Sequence, residues 1–269
     1  MLQKSFGILI SLIFITTGSV CPCFAAMGCS LQDPDRDVRR LFPQSTGYRT
    51  TFITIEEVGG EKLRRILEKK LGDDFEPVYE TIDVPYAFYT ILVQKKIIGY
   101  IHGVNQKGEF GGLQLILATD LQGKILSFYY QRISNPEAKK LRHPKFTDLF
   151  KGLTLADFYY YAPEKGRIIN IDNPLSKIEN PCQRNDIDFR ATLRGLKKNM
   201  IIFDEFVGGH RYDAVFKGLE IKNPSFLHPS FRPFSVDLQS QNPQRSTTTL
   251  AVLLKRIDQA RPKFAHQFQ

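Results

Sequence analysis

Cysteine is scarce in this chain, and its placement argues against a cysteine-based metal centre. Four cysteines occur in 269 residues. Cys21 and Cys23 are separated only by Pro22, which is not the spacing of a zinc or iron–sulfur site. Cys182 stands far from the others beside Pro181, and a single thiolate cannot complete such a site. We therefore predict no bound metal.

The chain also lacks the short motifs that mark several enzyme classes. It contains no Gly-x-Ser-x-Gly elbow, no phosphate-binding loop with Gly-Lys-Ser/Thr and no His-Glu-x-x-His helix. The glycines between Gly108 and Gly112 lack the spacing of a dinucleotide fingerprint and join two predicted strands rather than opening a helix. No internal repeat or low-complexity segment is found. These absences argue against a hydrolase.

A concentrated basic segment is missing as well, although the formal net charge is +9. Nucleic-acid binding requires clustered basic residues, so we predict no nucleic-acid partner. The dispersed positive charge is compatible with a surface that faces anionic lipid or an acidic partner, and also with solubility alone. A composition of 42% hydrophobic and 24% charged residues is ordinary for a globular protein with a true core.

Residues 1–28 have the pattern of a secretory signal peptide. Lys4 precedes the apolar run Phe6 to Val20, and small residues follow that run. The run is shorter than the ~20 residues that a membrane-spanning helix needs. We therefore expect an exported protein on the periplasmic side of a bacterial membrane.

Two interpretations of the end of this segment remain open. Ala26-Met27-Gly28-Cys29 resembles the lipobox of bacterial lipoproteins, in which Cys29 would become the lipidated first residue and anchor the protein to the membrane. The alternative is ordinary cleavage near Ala25 or Ala26, or an uncleaved anchor. If Cys29 is not lipidated, it can form a disulfide with Cys182 in an oxidising compartment.

The rest of the pattern predicts an α+β fold, with packed helices on an antiparallel sheet of hairpins. A stripe of Leu63, Ile66, Leu67 and Leu71 predicts a helix from Glu61 to Leu71, which Gly72 ends. Four runs rich in aromatic and β-branched residues predict strands. They are Tyr86 to Gln94, Ile97 to Val104, Leu113 to Thr119 and Ile125 to Arg132. The predicted turns are Lys95-Lys96, Gly108 to Gly112 and Asp120 to Lys124.

The remaining segments are less regular. Residues 30–50 are polar and charged, which favours a tether. Lys145 to Tyr160 predicts one helical face or two short helices, and residues 162–185 an irregular connection with one short strand at Arg167 to Ile171. Residues 209–269 predict a proline-rich extension, irregular over 210–244 and ending in a helix capped near Ser246.

The most informative stretch is Asp186-Ile187-Asp188-Phe189-Arg190-Ala191-Thr192 and the segment that follows it to Phe206. One apolar face at helical spacing predicts an amphipathic helix; it consists of Leu193, Leu196, Met200 and Ile201. We expect Asp186 and Asp188 to cap the start of this helix. Thr192 is expected in its first turn, where backbone N–H groups favour phosphate oxygens.

This stretch resembles the flavin-attachment motif of the FMN-binding domain family, which reads Asp, two variable residues, Ser or Thr, Gly, Ala, Thr. Asp186, Ala191 and Thr192 match it, whereas Phe189 and Arg190 replace the hydroxyl residue and the glycine. The family comprises flavin-carrying subunits of bacterial ion-pumping electron-transport complexes and their relatives. Some relatives, the membrane regulators of nitrous-oxide reduction, similarly have Arg at the glycine position.

Other parts of the chain resemble the family too, over residues 36–208. Leu41-Phe42-Pro43 is similar to the start of its domain. The segment from Gly108 to Ile125 is similar to the family's most characteristic run outside the attachment motif. That run consists of Gly-aromatic-Gly-Gly, a strand and Asp-x-x-Gly-Lys-Ile. After the next strand the family has Glu-Thr and glycines near the flavin, where this chain departs with Ser134-Asn135-Pro136-Glu137.

The resemblance implies an exported FMN-binding protein in membrane-associated electron transfer, rather than a stand-alone enzyme. FMN would be bound by phosphoester to Thr192, with Asp186 presenting that residue to a flavin-attaching transferase. Arg190 and Ala191 would lie beside the phosphate, and Gly111 and Gly112 near the ring system or ribityl chain. The partners implied are membrane electron-transport components, with quinone-linked chains foremost.

A second interpretation belongs to another class. The chain is then a structural or binding lipoprotein that keeps the fold without covalent flavin. Phe189 favours it, because a bulky apolar side chain replaces the hydroxyl there, although the ring could instead pack on the isoalloxazine. Arg190 is compatible with either interpretation, since a guanidinium beside Thr192 would pair well with a phosphate.

Overall fold

The computed structural model describes residues 29–77, 79–184 and 186–222. The predicted signal peptide and the predicted C-terminal helix lie outside the described residues. The α-helices are α1 (Pro34–Leu41), α2 (Ile55–Val58), α3 (Gly60–Leu71), α4 (Ala138–Leu141), α5 (Pro144–Thr147), α6 (Leu155–Phe158), α7 (Ile187–Phe203) and α8 (Asp213–Lys222). The strands are β1 (Gly47–Ile53), β2 (Tyr86–Val93), β3 (Lys96–Gly108), β4 (Gly111–Thr119), β5 (Ile125–Arg132), β6 (Tyr161–Ala162) and β7 (Arg167–Ile168). Asp148–Phe150 and Pro174–Lys177 are 3₁₀-helical, and Asp204–Gly208 is a π-helical turn.

The centre of the fold is a five-stranded antiparallel sheet in the order β1-β2-β3-β4-β5. Strands next to each other in sequence are also neighbours in space, and tight turns join β2 to β3 and β3 to β4. The prediction of an α+β fold with an antiparallel sheet and packed helices is confirmed. The turn between β2 and β3 lies at Gln94-Lys95 rather than at Lys95-Lys96, with Gln94 in the left-handed region at φ 54°.

Both faces of the central strands β2, β3 and β4 are largely buried. Because successive side chains of a strand point to opposite faces, they belong to different cores. Phe88 of β2 belongs to the larger core, together with residues of α3 and α7 such as Leu67 and Leu196. Tyr89 of the same strand belongs to a smaller core with Val38 of α1. The sheet therefore lies between α3 and α7 on one side and the N-terminal segment on the other.

The helix predicted at Glu61 to Leu71 is confirmed as α3. Its C-cap Gly72 has φ 75° and donates its N–H to Glu68 O, which is the glycine stop that the sequence indicated. Leu63, Leu67 and Leu71 are buried, whereas Ile66 is 40% exposed, so the buried stripe is narrower than predicted.

The prediction that residues 30–50 form a tether is wrong, since this segment forms α1 and the start of β1. Asp33 caps α1 by accepting from Arg36 N–H, and Pro34 occupies its first turn. Val38 and Phe42 lie one helical turn apart and pack in the smaller core, on the face of the sheet away from α3 and α7. Two apolar contacts among many charged residues make too weak a pattern for sequence reasoning.

Residues 145–160 form short helices, α5 with the 3₁₀ turn that continues it and then α6, which agrees with the second of the two predicted alternatives. Two further segments differ from expectation. The predicted strand at 167–171 shortens to β7. Residues 213–222, expected to be irregular, form α8, from which Phe216 and Leu219 pack against the larger core. Within the described part of the chain, no helix is both long enough and apolar enough to cross a bilayer.

Candidate functional site

The attachment-like stretch begins α7, the longest of the helices described. All four residues of the predicted apolar face are buried, as expected: Leu193, Leu196, Met200 and Ile201. The polar residues of the helix are not solvated, however. Arg194, Lys197 and Lys198 are buried too, because α3, the loop that follows it and the β6–β7 hairpin cover them.

Thr192 lies in the second turn of α7, not in the first, and is fully buried. Its Oγ1 donates to the carbonyl of Asp188 at 2.7 Å and is 2.8 Å from the hydroxyl of Tyr130 on β5. Since the single Thr192 hydroxyl proton goes to Asp188, Tyr130 must be the donor in the second bond. Burial raises the pKa of Tyr130, which keeps that donor protonated.

The two aspartates at the start of α7 do not cap it as predicted. Asp186 is the N-cap residue, but its side chain makes no capping hydrogen bond and instead pairs with Arg190 at 3.0 Å. The buried Asp188 reaches outward to two other segments. Its Oδ1 accepts from the N–H of Glu109 at 2.8 Å, and its Oδ2 accepts from the side-chain amide of Asn135. One carboxylate therefore joins α7 to the β3–β4 turn and to the loop after β5.

The glycine turn between β3 and β4 is pressed against α7 at Gly108. A Cβ added there would lie 2.4 Å from Asp188 Oδ1 and 1.9 Å from a methyl of Leu113, so only glycine permits this approach. Gly111 has φ 121°, also a glycine conformation, but its surroundings are open. Gly112 lies against the ring of Tyr79. The structure thus places Gly108, rather than Gly111 or Gly112, against the helix.

Asp188→Asn is expected to destabilise the protein by about 1–3 kcal/mol, the cost of leaving a buried partner unsatisfied. The new amide would face the Asn135 amide, which cannot turn over because its Oδ1 already accepts from the N–H of Glu137. Hydrogen exchange at the Glu109 amide should accelerate. Asp186→Asn is the matched control, since an exposed pair contributes under about 1 kcal/mol. Equal effects of the two variants would contradict the joining role of Asp188.

A groove of about 220 Å³ opens beside the first turns of α7. Its lining includes Arg190 and Ala191, as well as Lys107, Gln106 and Arg194, but not Thr192, Gly111 or Gly112. Its volume is below the ~300–1,000 Å³ of a typical small-molecule pocket. The groove can receive an anionic group, because Lys107 and Arg190 border it against a single lining carboxylate, Glu76.

Behind the groove lies a buried ionic cluster that sequence reasoning missed. Arg194 binds Asp73 at 2.6 Å, Glu80 at 2.9 Å and the side-chain carbonyl of Gln106 at 2.8 Å. Lys198 also binds Glu80 at 2.9 Å, and both side chains are 1% exposed. Although burial opposes ionisation, Lys198 and Arg194 hold the pKa of Glu80 below its usual range. The only signal in the sequence was basic residues at helical spacing within an otherwise apolar helix.

Phe189, at the position of the motif's hydroxyl residue, faces away from the groove. Its ring packs 6.0 Å from that of Phe146, at the margin of the larger core. It serves the packing of α7 on α5. Phe189 is therefore not among the residues that line the groove, whereas Arg190 is.

Cys29 and Cys182 are both free thiols, so the disulfide considered between them is not formed. Cys29 is 2% exposed in the smaller core, and burial raises the pKa of its thiol to about 12. Lipidation of Cys29 would require this side chain to leave the core.

A group with ligand-type atoms within 4.8 Å of one another occurs at Glu205, His210 and Asp213. The ammonium of Lys70 already binds both of these carboxylates. That cation supplies the charge that a metal ion would otherwise bring.

Comparison with known proteins adds no family assignment. No protein-family model matches the chain, and no curated protein matches it at a significant level.

Proposed function

We propose that the protein is an exported FMN-binding protein that takes part in membrane-associated electron transfer, with an FMN-binding-domain-like fold. The observation that carries the proposal is the meeting of three segments around Asp188. These are the start of α7, the glycine turn at Gly108 and the loop at Asn135. The first two resemble the family, and the third is the position where the family has its flavin loop and this chain departs from it. The three lie far apart in the chain.

The groove beside this junction fits the phosphate end of FMN. Lys107 and the exposed guanidinium of Arg190 border it, and a planar guanidinium binds phosphate through two parallel hydrogen bonds. Arg194 lies deeper, and its charge is already balanced by carboxylates. Since the groove is small, the flavin ring would extend over the open surface. When bound, FMN supplies the electron chemistry, and the protein orients it and tunes its potential.

Covalent attachment of FMN to Thr192 requires a local opening of the fold that non-covalent binding in the groove does not require. The Thr192 hydroxyl is buried between α7 and β5 and has both of its hydrogen-bonding partners within the protein. A phosphoester at Oγ1 therefore requires the first two turns of α7 to separate from Tyr130. The Asp188 contacts with Glu109 and Asn135 would have to open with them.

The test is intact mass of the full chain, expressed in an exporting bacterium together with a flavin-attaching transferase. A gain of one FMN less water that disappears in Thr192→Val would support attachment at Thr192. Thr50→Val, on the exposed edge strand β1, is the matched control and should keep the gain.

If the mass does not increase, titration of the purified protein with FMN distinguishes non-covalent flavin binding from a protein without flavin. Binding that weakens at least tenfold in Arg190→Ala would support a non-covalent site in the groove. Colourless protein that binds no FMN would reject the flavin proposal and leave the structural or binding module, which the burial of Thr192 favours.

A further inference from the structure

Lys197 of α7 lines a second cavity, on the other side of Tyr161 from the groove. The cavity has a volume of about 140 Å³ and lies between α3, α7, α8 and the β6–β7 hairpin. Tyr159 and Phe216 form part of its apolar wall. The proposed flavin site does not use the amine at this position.

The hydrogen bonding of Lys197 leaves its lone pair available. Its Nζ donates to the backbone carbonyl of Tyr161 at 2.8 Å, and within the described residues no carboxylate lies within ion-pairing distance. Burial lowers the pKa of Lys197 to about 7, opposed by Asp73 and assisted by Arg194. A neutral amine that donates one N–H keeps its nitrogen nucleophilic.

The rim of the cavity carries the charge to hold an anion. Lys165 and Arg167 line it and have no ion-pair partner among residues 29–222 outside the two gaps. Two other lining lysines are already compensated, Lys69 by Glu220 and Lys70 by Glu205 and Asp213. Glu164 also lines the rim, so the uncompensated charge there is positive.

Tyr159 contributes to the wall of the same cavity. It is 4% exposed, and its hydroxyl has no hydrogen-bond partner in the described part of the chain. Burial raises the pKa of Tyr159, and the carboxylates of Asp204, Asp213 and Glu205 raise it further, so the hydroxyl stays protonated. Because these carboxylates act on the hydroxyl, Tyr159 serves the cavity through its ring.

We propose that this cavity binds a small 2-oxo acid and that Lys197 Nζ forms an imine with its carbonyl carbon. The carboxylate would pair with Arg167 and Lys165 at the rim. In the step a C=N bond replaces the C=O bond, and the carbonyl oxygen leaves as water with the two amine hydrogens. At ~30 Å³ for each water molecule, the cavity holds the equivalent of about five. Pyruvate, with six heavy atoms, fits this space, and FMN does not.

The experiment is trapping with pyruvate and sodium cyanoborohydride on the full chain, followed by peptide mass spectrometry. In the wild type we expect labelling of Lys197 to exceed that of Lys62, an exposed lysine of α3, at least tenfold. In Arg167→Ala the labelling of Lys197 should be at least fivefold lower than in the wild type. Lys197→Met should lose the adduct, whereas Lys62→Met should keep it. A neutral aldehyde of similar size should label Lys197 equally in wild type and Arg167→Ala.

Labelling of Lys197 no greater than that of Lys62 would overturn the proposal. Labelling that Arg167→Ala and Lys165→Ala leave unchanged would overturn the assignment of the carboxylate end. The wild-type and rim-variant measurements decide the matter even if Lys197→Met fails to fold. Flavin binding is read separately, so the two proposals can fail independently.

Discussion

Glu80→Gln should lower the free energy of unfolding by about 3–5 kcal/mol, the usual cost of removing one partner of a buried ion pair. The variant would leave both Arg194 and Lys198 without the carboxylate that they share at 2.9 Å. An amide of the same shape can still accept from Arg194, but its NH₂ group donates rather than accepts. Urea denaturation measures the change directly.

The matched control for this prediction is Glu76→Gln, four residues earlier in the same loop. Burial raises the pKa of Glu76, so neutralising it should cost little or stabilise slightly. The pKa of Glu80 is lowered in the folded state, so its stabilisation is complete above its unfolded pKa of about 4.3. It is lost as the pH falls below that value through the folded pKa, and Glu80→Gln should flatten this acid limb. A cost below about 1 kcal/mol would show that solvent already compensates the two cations.

Lys197→Met should remove a pH dependence of stability on the alkaline side. The pKa of Lys197 is about 7 in the folded protein, against about 10.4 for an unperturbed lysine. Between these values the unfolded chain binds a proton that the folded chain does not. The wild-type free energy of unfolding should therefore rise by about 1.4 kcal/mol per pH unit from this residue. Below pH 7 the lysine is protonated in both states and the cost of its burial is largest.

Methionine avoids the cost of burying a charge, which at pH 6 exceeds the ~1–3 kcal/mol lost when the Tyr161 carbonyl no longer accepts from Lys197. The variant should therefore be more stable than wild type at pH 6, and this difference should shrink or reverse toward pH 10. Lys62→Met tests whether any surface lysine gives the same result. Parallel stability curves for wild type and Lys197→Met over pH 6–10 would mean that Lys197 is solvated in the folded state. Such a result would also remove the basis for a neutral nucleophile in the cavity.

The regular elements with strong local signals were predictable from the sequence. α3 has an unbroken apolar stripe and a glycine stop, and β5 was predicted at the residues where it occurs, Ile125–Arg132. The apolar face of α7 was predicted correctly because helical periodicity is a local property. Where apolar residues were few, as in α1, local signals did not suffice.

The candidate site was predictable only in part. The sequence drew attention to the start of α7, the glycine turn and the Asn135 loop, and the fold brings these segments together. It could not give the role of Asp188, which resembled a helix cap but bonds residues 53 and 79 positions away. FMN binding, export and lipidation stay predictions.

Local signals in the sequence were enough to predict four of the five strands of the antiparallel sheet and the helices α3 and α7, but not β1, which precedes α3. Periodicity, glycine stops and turn residues act within a few positions, and so they can be read from the chain. Tertiary structure alone decided which polar groups are buried. Thr192, Glu80 and Lys197 are buried because segments distant in sequence pack around α7. A local sequence pattern does not show which segments these are.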